Sequence, residues 1–164
     1  MAYILAAERD GSPAEMLANF RRYREYLAQV APRFPASAHA LATSDWFYNF
    51  QDHRCPHDAW LESLTITEPA AGLRGEERQL TIAMRLLGAY QDGHIEIRYP
   101  TVVSYRLDTW DGMKGHRDWR YDEFRLSDQG HLLHEIEWAG SGSTGRWLIE
   151  ASDVEYSWKP LQAE

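Results

Sequence analysis

The sequence predicts an α+β fold, mainly β, in which an N-terminal amphipathic helix precedes an antiparallel meander of about seven strands. Two observations carry that reading. Apolar residues recur at alternating spacings of four and three between residues 12 and 31, then alternate strictly from Trp60 onward. The second is the regular return of short turn signals through the alternating part, as in a sandwich or half-barrel. The 164 residues, 44% hydrophobic and 26% charged, read as one domain with enough apolar surface for a core.

The helix opens at Ser12-Pro13-Ala14-Glu15, a capping box with proline at the first helical position. Met16, Phe20, Tyr23, Leu27 and Val30 fall on one face, whereas Arg21, Arg22 and Glu25 fall mostly on the other. Pro32 and Pro35 end it. Residues 36–58 are irregular and aromatic-rich, with a helical turn expected over 36–43. Trp46-Phe47-Tyr48-Asn49-Phe50 is expected as a short strand or an aromatic plug.

The antiparallel sheet is expected over 59–158. Trp60, Glu62, Leu64 and Ile66 alternate up to Pro69, and Leu80 to Leu86 alternate up to Gly88. Gln91-Asp92-Gly93 supplies a hairpin turn into Ile95, Ile97 and Tyr99. Pro100 marks a bulge or a bend between sheets before Val103, Tyr105 and Leu107. After a loop over 108–115, strands are expected over 119–126, 132–138 and, as one long run, 147–158. Gly140-Ser-Gly-Ser-Thr-Gly145 matches G-x-G-x-x-G, but a strand follows it and no helix N-terminus is available for pyrophosphate, so it reads as a hairpin loop over 139–145.

Charge narrows the function. Seventeen basic against twenty-five acidic residues give a net charge of −8, which opposes binding to phosphate backbones and favours a basic protein partner. One cysteine, Cys55, leaves no internal disulfide and fits a reducing compartment. The first residues lack a basic segment and a long apolar run, and no stretch is apolar enough to span a bilayer, so a cytoplasmic protein is expected. No cofactor signature is present. An exposed edge strand could pair about a two-fold axis to give a homodimer.

The densest cluster of reactive side chains is Asp52-His-Arg-Cys-Pro-His-Asp-Ala-Trp60. In an extended segment His53, Cys55 and His57 would face one way, and imidazole with thiolate is a natural zinc set. Successive ligands would then lie about 7 Å apart, too far for one ion unless the chain curls. His57 and Asp58 could form an acid–base pair, since a carboxylate stabilises imidazolium, although neighbours on a strand point to opposite faces. The ordinary reading of the cluster is a polar turn that starts the next strand. His134 shares its face with Leu132, Ile136 and Trp138, which suits a hydrogen-bonded histidine at the core edge. Glu135 and Glu137, with Asp153 and Glu155, project away from the core. If their strands pair they make a carboxylate patch, either a solvated face or a docking surface for a basic partner.

The stretches Asp52-His-Arg-Cys-Pro-His-Asp-Ala-Trp-Leu-Glu62, Gly88-Ala-Tyr-Gln-Asp-Gly93, Tyr99-Pro100 and His134-Glu-Ile-Glu-Trp138 resemble a group of small bacterial proteins of unknown function. More distantly, the size, acidity, β content and the strand opening at His57-Asp58 resemble β-rich immunity proteins that accompany secreted bacterial toxins. The absence of a coherent catalytic set, together with an acidic, aromatic-rich β-surface, leads to the expectation of a non-enzymatic bacterial binding protein. An immunity protein neutralising a basic toxin is one form of it, with Glu135, Glu137, Asp153 and Glu155 expected at the contact; the resemblance itself carries over no site residues. One alternative is a small metal-dependent or acid–base enzyme built on His53, Cys55, His57 and Asp58. Another is a small-molecule binder using Trp46-Phe47-Tyr48 with Trp110 and Trp119.

Overall fold

The computed structural model describes residues 1–6, 9–108, 115–140 and 143–161. Helix α1 (Pro13–Val30) starts where the capping signal places it: the Ser12 hydroxyl accepts from the Glu15 amide at 3.2 Å. The Glu15 carboxylate reaches back to the amides of Asp10 and Gly11 rather than to that of Ser12. Asn19, Tyr23, Leu27 and Val30 form its buried side, while Leu17 stands 74% exposed. A 3-10 turn (Ala31–Arg33) leads into α2 (Ala36–Ala42), which has no side-chain cap of its own at Pro35. The cap comes from far along the chain instead, because the Asp153 carboxylate accepts the amides of Ser37 and Ala38 at 3.0 and 2.9 Å. Residues 44–58 form turns, so Trp46–Phe50 is the plug and not a strand.

The strands are β1 (Trp60–Thr67), β2 (Ala70–Ala71), β3 (Glu77–Arg78), β4 (Thr81–Leu87), β5 (Gly93–Tyr99), β6 (Val102–Leu107), β7 (Asp118–Leu126), β8 (Leu132–Gly140), β9 (Ser143–Ala151) and β10 (Glu155–Pro160). Eight of them make one antiparallel sheet in the order β10-β5-β4-β1-β7-β8-β9-β6, and β2 with β3 form a separate hairpin. The sheet therefore has one more strand than expected. The run over 147–158 is broken at residues 152–154, where the chain turns to present Asp153 to α2, and its two parts enter opposite ends of the sheet. The hairpin at 139–145 is tighter than expected, since β8 continues to Gly140 and β9 begins at Ser143.

Connection lengths require the sheet to curl. Strands β5 and β6 occupy the second and eighth positions, about 29 Å apart in a flat sheet. Only Pro100 and Thr101 join them, a link that spans roughly 11 Å when fully extended. The same holds for β9 and β10. Two backbone bonds stitch the crossing: Val102 N–H to the Leu80 carbonyl and Ser152 N–H to that of Thr101, both 2.8 Å.

Along the opposite seam β1 meets β7 at a single register pair, Trp60 with Asp118, so the two strands splay. Helix α1 fills that opening. Its Tyr23 hydroxyl accepts the Phe124 amide at 2.8 Å and donates to the Phe124 carbonyl at 3.0 Å, and its Tyr26 hydroxyl accepts the Leu126 amide at 2.8 Å. Two side chains thus satisfy the β7 backbone where a neighbouring strand is missing. The rolled sheet closes on Trp119, Trp138, Trp147, Phe47, Phe124 and Tyr99, all under 2% exposed. Among the described residues no helix is long and apolar enough to cross a membrane.

Candidate functional site

The residues singled out between 52 and 60 are near in sequence but do not converge. His53 is exposed; its Nδ1 lies 2.5 Å from Asp92 Oδ2 in the β4–β5 turn, and its ring stacks on Tyr90. Cys55 is buried with Sγ 2.9 Å from the Phe47 carbonyl, and burial pushes its thiol up to about 12, far from a thiolate at neutral pH. His57 stacks on Phe50 at 3.8 Å between ring centres, and its Nδ1 sits 2.5 Å from the Arg120 carbonyl. That contact makes Nδ1 the donor and leaves Nε2 3.6 Å from Asp58 Oδ1. Burial lowers the His57 pKa, with Asp58 opposing. Asp58 holds a positive φ of 61° and pairs with Arg120 on the surface. The three ligand-type atoms point to three different elements. Among the described residues no three His, Cys, Asp or Glu side chains are placed to hold a metal ion.

The four carboxylates expected on one face are likewise dispersed. Strand β8 pairs with β7 and β9, whereas β10 pairs with β5, so Glu135 and Glu137 are separated from Asp153 and Glu155. Glu137 is only 2% exposed, held by Arg9 and Arg146, and Glu135 is held by Arg125 and Arg146. Beside them Glu123, fully buried, accepts the amides of Tyr3, Ile4 and Leu5 and pairs with Arg125. Burial pushes its carboxyl up, while Arg125 and the three amides pull it down. The N-terminal segment therefore lies over this face of the sheet, and its ionic groups are occupied internally. Asp153 caps α2, and Glu155 pairs with Arg98 at the surface.

Sequence reasoning missed a buried polar chain. The Tyr99 hydroxyl lies 2.5 Å from His134 Nδ1, and His134 Nε2 lies 3.0 Å from Asp122 Oδ2. Asp122 also accepts from Trp119 Nε1 at 3.1 Å and from the Tyr48 hydroxyl at 3.5 Å. Histidine between a carboxylate and a tyrosine has the wiring of an acid–base relay. Access decides against catalysis at this place: Tyr99 and His134 are 0% exposed and Asp122 3%. The void touching Asp122, Cys55 and His57 measures about 10 Å³, room for roughly one water. A bulge in β7 between Trp119 and Tyr121 explains why the chain was hidden. It reverses the in–out alternation, so Asp122 and Phe124 join Trp119 on the inner face and Glu123 turns outward.

An accessible cavity lies elsewhere. A cleft of about 750 Å³ opens between α1, α2 and residues 43–49, with Phe20, Tyr23, Leu27 and Tyr48 among its walls. That volume is in the range of sites for small organic ligands. Arg24, His39 and Asp45 add polar groups to it, and His39 Nε2 is buried without a hydrogen-bond partner. Tyr48 belongs to both worlds: it lines the cleft, and its hydroxyl lies 3.4 Å from that of Tyr23 and within reach of Asp122. Of the aromatics considered for a ligand site, Tyr48 reaches this cleft. Phe47 and Trp119 are core, Trp46 packs on Tyr156 beneath Arg54, and Trp110 lies outside the described residues.

Comparison with known proteins gives no significant match to a family model, a curated protein or a solved structure. The functional reading rests on the geometry above.

Proposed function

We propose that this chain is a non-enzymatic binding protein whose recognition site is the cleft between α1, α2 and residues 43–49. The observation that carries this reading is the contrast between two places. The reactive side chains of 52–58 and the Tyr99–His134–Asp122 chain are each committed to bonds that hold the fold. The cleft is open, lined by apolar and polar side chains together, and His39 Nε2 on its wall is buried without a hydrogen-bond partner.

A thermal-shift screen with a small-molecule library, run on the wild type and on Ala28→Trp, tests it. Ala28 is an exposed residue of α1 on the cleft wall, so tryptophan there obstructs the site without entering the core. A ligand at a hundredfold excess over its Kd adds about 2.7 kcal/mol, or roughly 5–10 °C in Tm for a chain of this size. At least one compound should shift the wild type and leave Ala28→Trp unmoved. Equal shifts in both proteins, or none anywhere, would reject the cleft.

The net charge of −8 favours a second reading, neutralisation of a basic protein partner in the manner of an immunity protein. Exposed acids beside the β2–β3 hairpin, Glu68, Glu76 and Glu77, flank the fully exposed Leu73 at its tip. Association that slows as salt is added would support this reading, and association indifferent to salt would remove its charge-driven form.

A further inference from the structure

We propose that the ligand of the α1–α2 cleft is a small organic acid, an apolar body ending in a carboxylate; this rests on reading the cleft as the recognition site. Charge distribution is the first argument. Residues 13–42 carry Arg21, Arg22, Arg24 and Arg33 against Glu15 and Glu25, net +2, in a chain of net −8. The helical layer that forms two walls of the cleft is thus locally positive in an acidic protein.

The second argument is the state of the polar groups. Arg9, Arg54, Arg85, Arg98, Arg106, Arg120, Arg125 and Arg146 are all ion-paired. Arg21, Arg24, Arg33, Arg74 and Arg78 make no side-chain ion pair or hydrogen bond among the described residues, and of these five Arg24, exposed on α1, is the one that lines the cleft. A planar guanidinium presents parallel N–H donors that match a carboxylate. His39 adds a buried ring nitrogen without a partner on the same cleft. The lining carboxylate, Asp45, is exposed, so solvent screens its repulsion of an anion. Phe20, Leu27 and Ala42 offer the ligand's body an apolar surface with no hydrogen-bond demand.

Titrating octanoate, octanol and octylamine, each below its aggregation limit, into the wild type, Arg24→Gln, Ala28→Trp and Arg21→Gln tests the assignment by calorimetry. Arg21 is an exposed arginine of α1 that does not line the cleft and serves as the control. Octanoate should bind saturably, at least tenfold more tightly than octanol. Arg24→Gln should weaken octanoate about tenfold, as expected for loss of a charge-assisted pair, whereas Arg21→Gln should leave it unchanged. Octylamine binding as tightly as octanoate, and blocked by Ala28→Trp, would keep the cleft and overturn the carboxylate. Octanoate binding indifferent to Arg24→Gln would overturn it too. Failure of all three probes to saturate would overturn the ligand class, and a silent library screen beside it would reject the cleft itself.

Discussion

Tyr23 does at the residue scale what an additional strand would do in a closed sheet. Its hydroxyl both accepts from and donates to the Phe124 backbone, and the side chain is 1% exposed. Tyr23→Phe keeps the ring and its packing but leaves a buried amide and carbonyl without their partner. The expected cost is about 1–3 kcal/mol, the desolvation penalty of an unsatisfied backbone group. Urea unfolding of the variant, with unchanged m-value, measures it; stability equal to wild type would mean that water reaches the seam. His134 is the instructive contrast. Its place on the apolar face of Leu132, Ile136 and Trp138 was legible in the sequence, because β8 alternates without interruption. Its partner Asp122 was not, because a single bulge on β7 reverses the parity by which alternation is read.

At the scale of elements, local patterns were recovered and long-range ones were not. The capping signal at Ser12 and the period-two runs of β4, β5 and β8 are properties of short windows, and the structure has those elements where the windows place them. Strand β1 also forms where expected, but a bulge between Leu61 and Ser63 breaks its alternation and leaves Trp60 and Ile66 exposed. The break between β9 and β10 has no local cause of comparable strength. It follows from Asp153 capping a helix more than a hundred residues earlier. The cleft was hidden for the same reason, since its walls come from three separated segments. One element contact shows how closely β10 is fitted. The Trp158 ring lies against Gly93 of β5, and a Cβ there would sit 2.2 Å from its Cζ2 atom. Gly93→Ala must therefore push Trp158 off the strand, at about 1–3 kcal/mol of overpacking strain. A changed tryptophan emission with a lowered Tm would report it. An unaltered spectrum would show that the turn itself moves.

For the whole molecule, acid stability can be assigned a sign. Burial lowers the His57 pKa in the folded state, so folding favours the neutral ring. Its contribution is complete above the ordinary histidine value of 6.5 and is lost as pH falls below it toward the folded value. His57→Gln, which can still donate to the Arg120 carbonyl but does not titrate, should lose less Tm than wild type between about pH 7.5 and 5.5. His116, whose pKa burial also lowers, and Glu123, whose carboxyl burial raises, are present in both proteins and cancel in the difference. Parallel pH curves would assign the acid sensitivity to another group. The two short crossings that make the sheet curl also impose an order on synthesis. The edge of β5 is covered by β10, which follows it by more than fifty residues, and β6 is held by β9 after β7 and β8 have formed. Neither end of the sheet is complete until β9 and β10 have emerged. During translation β5 therefore presents an unpaired apolar edge that invites pairing with another nascent chain.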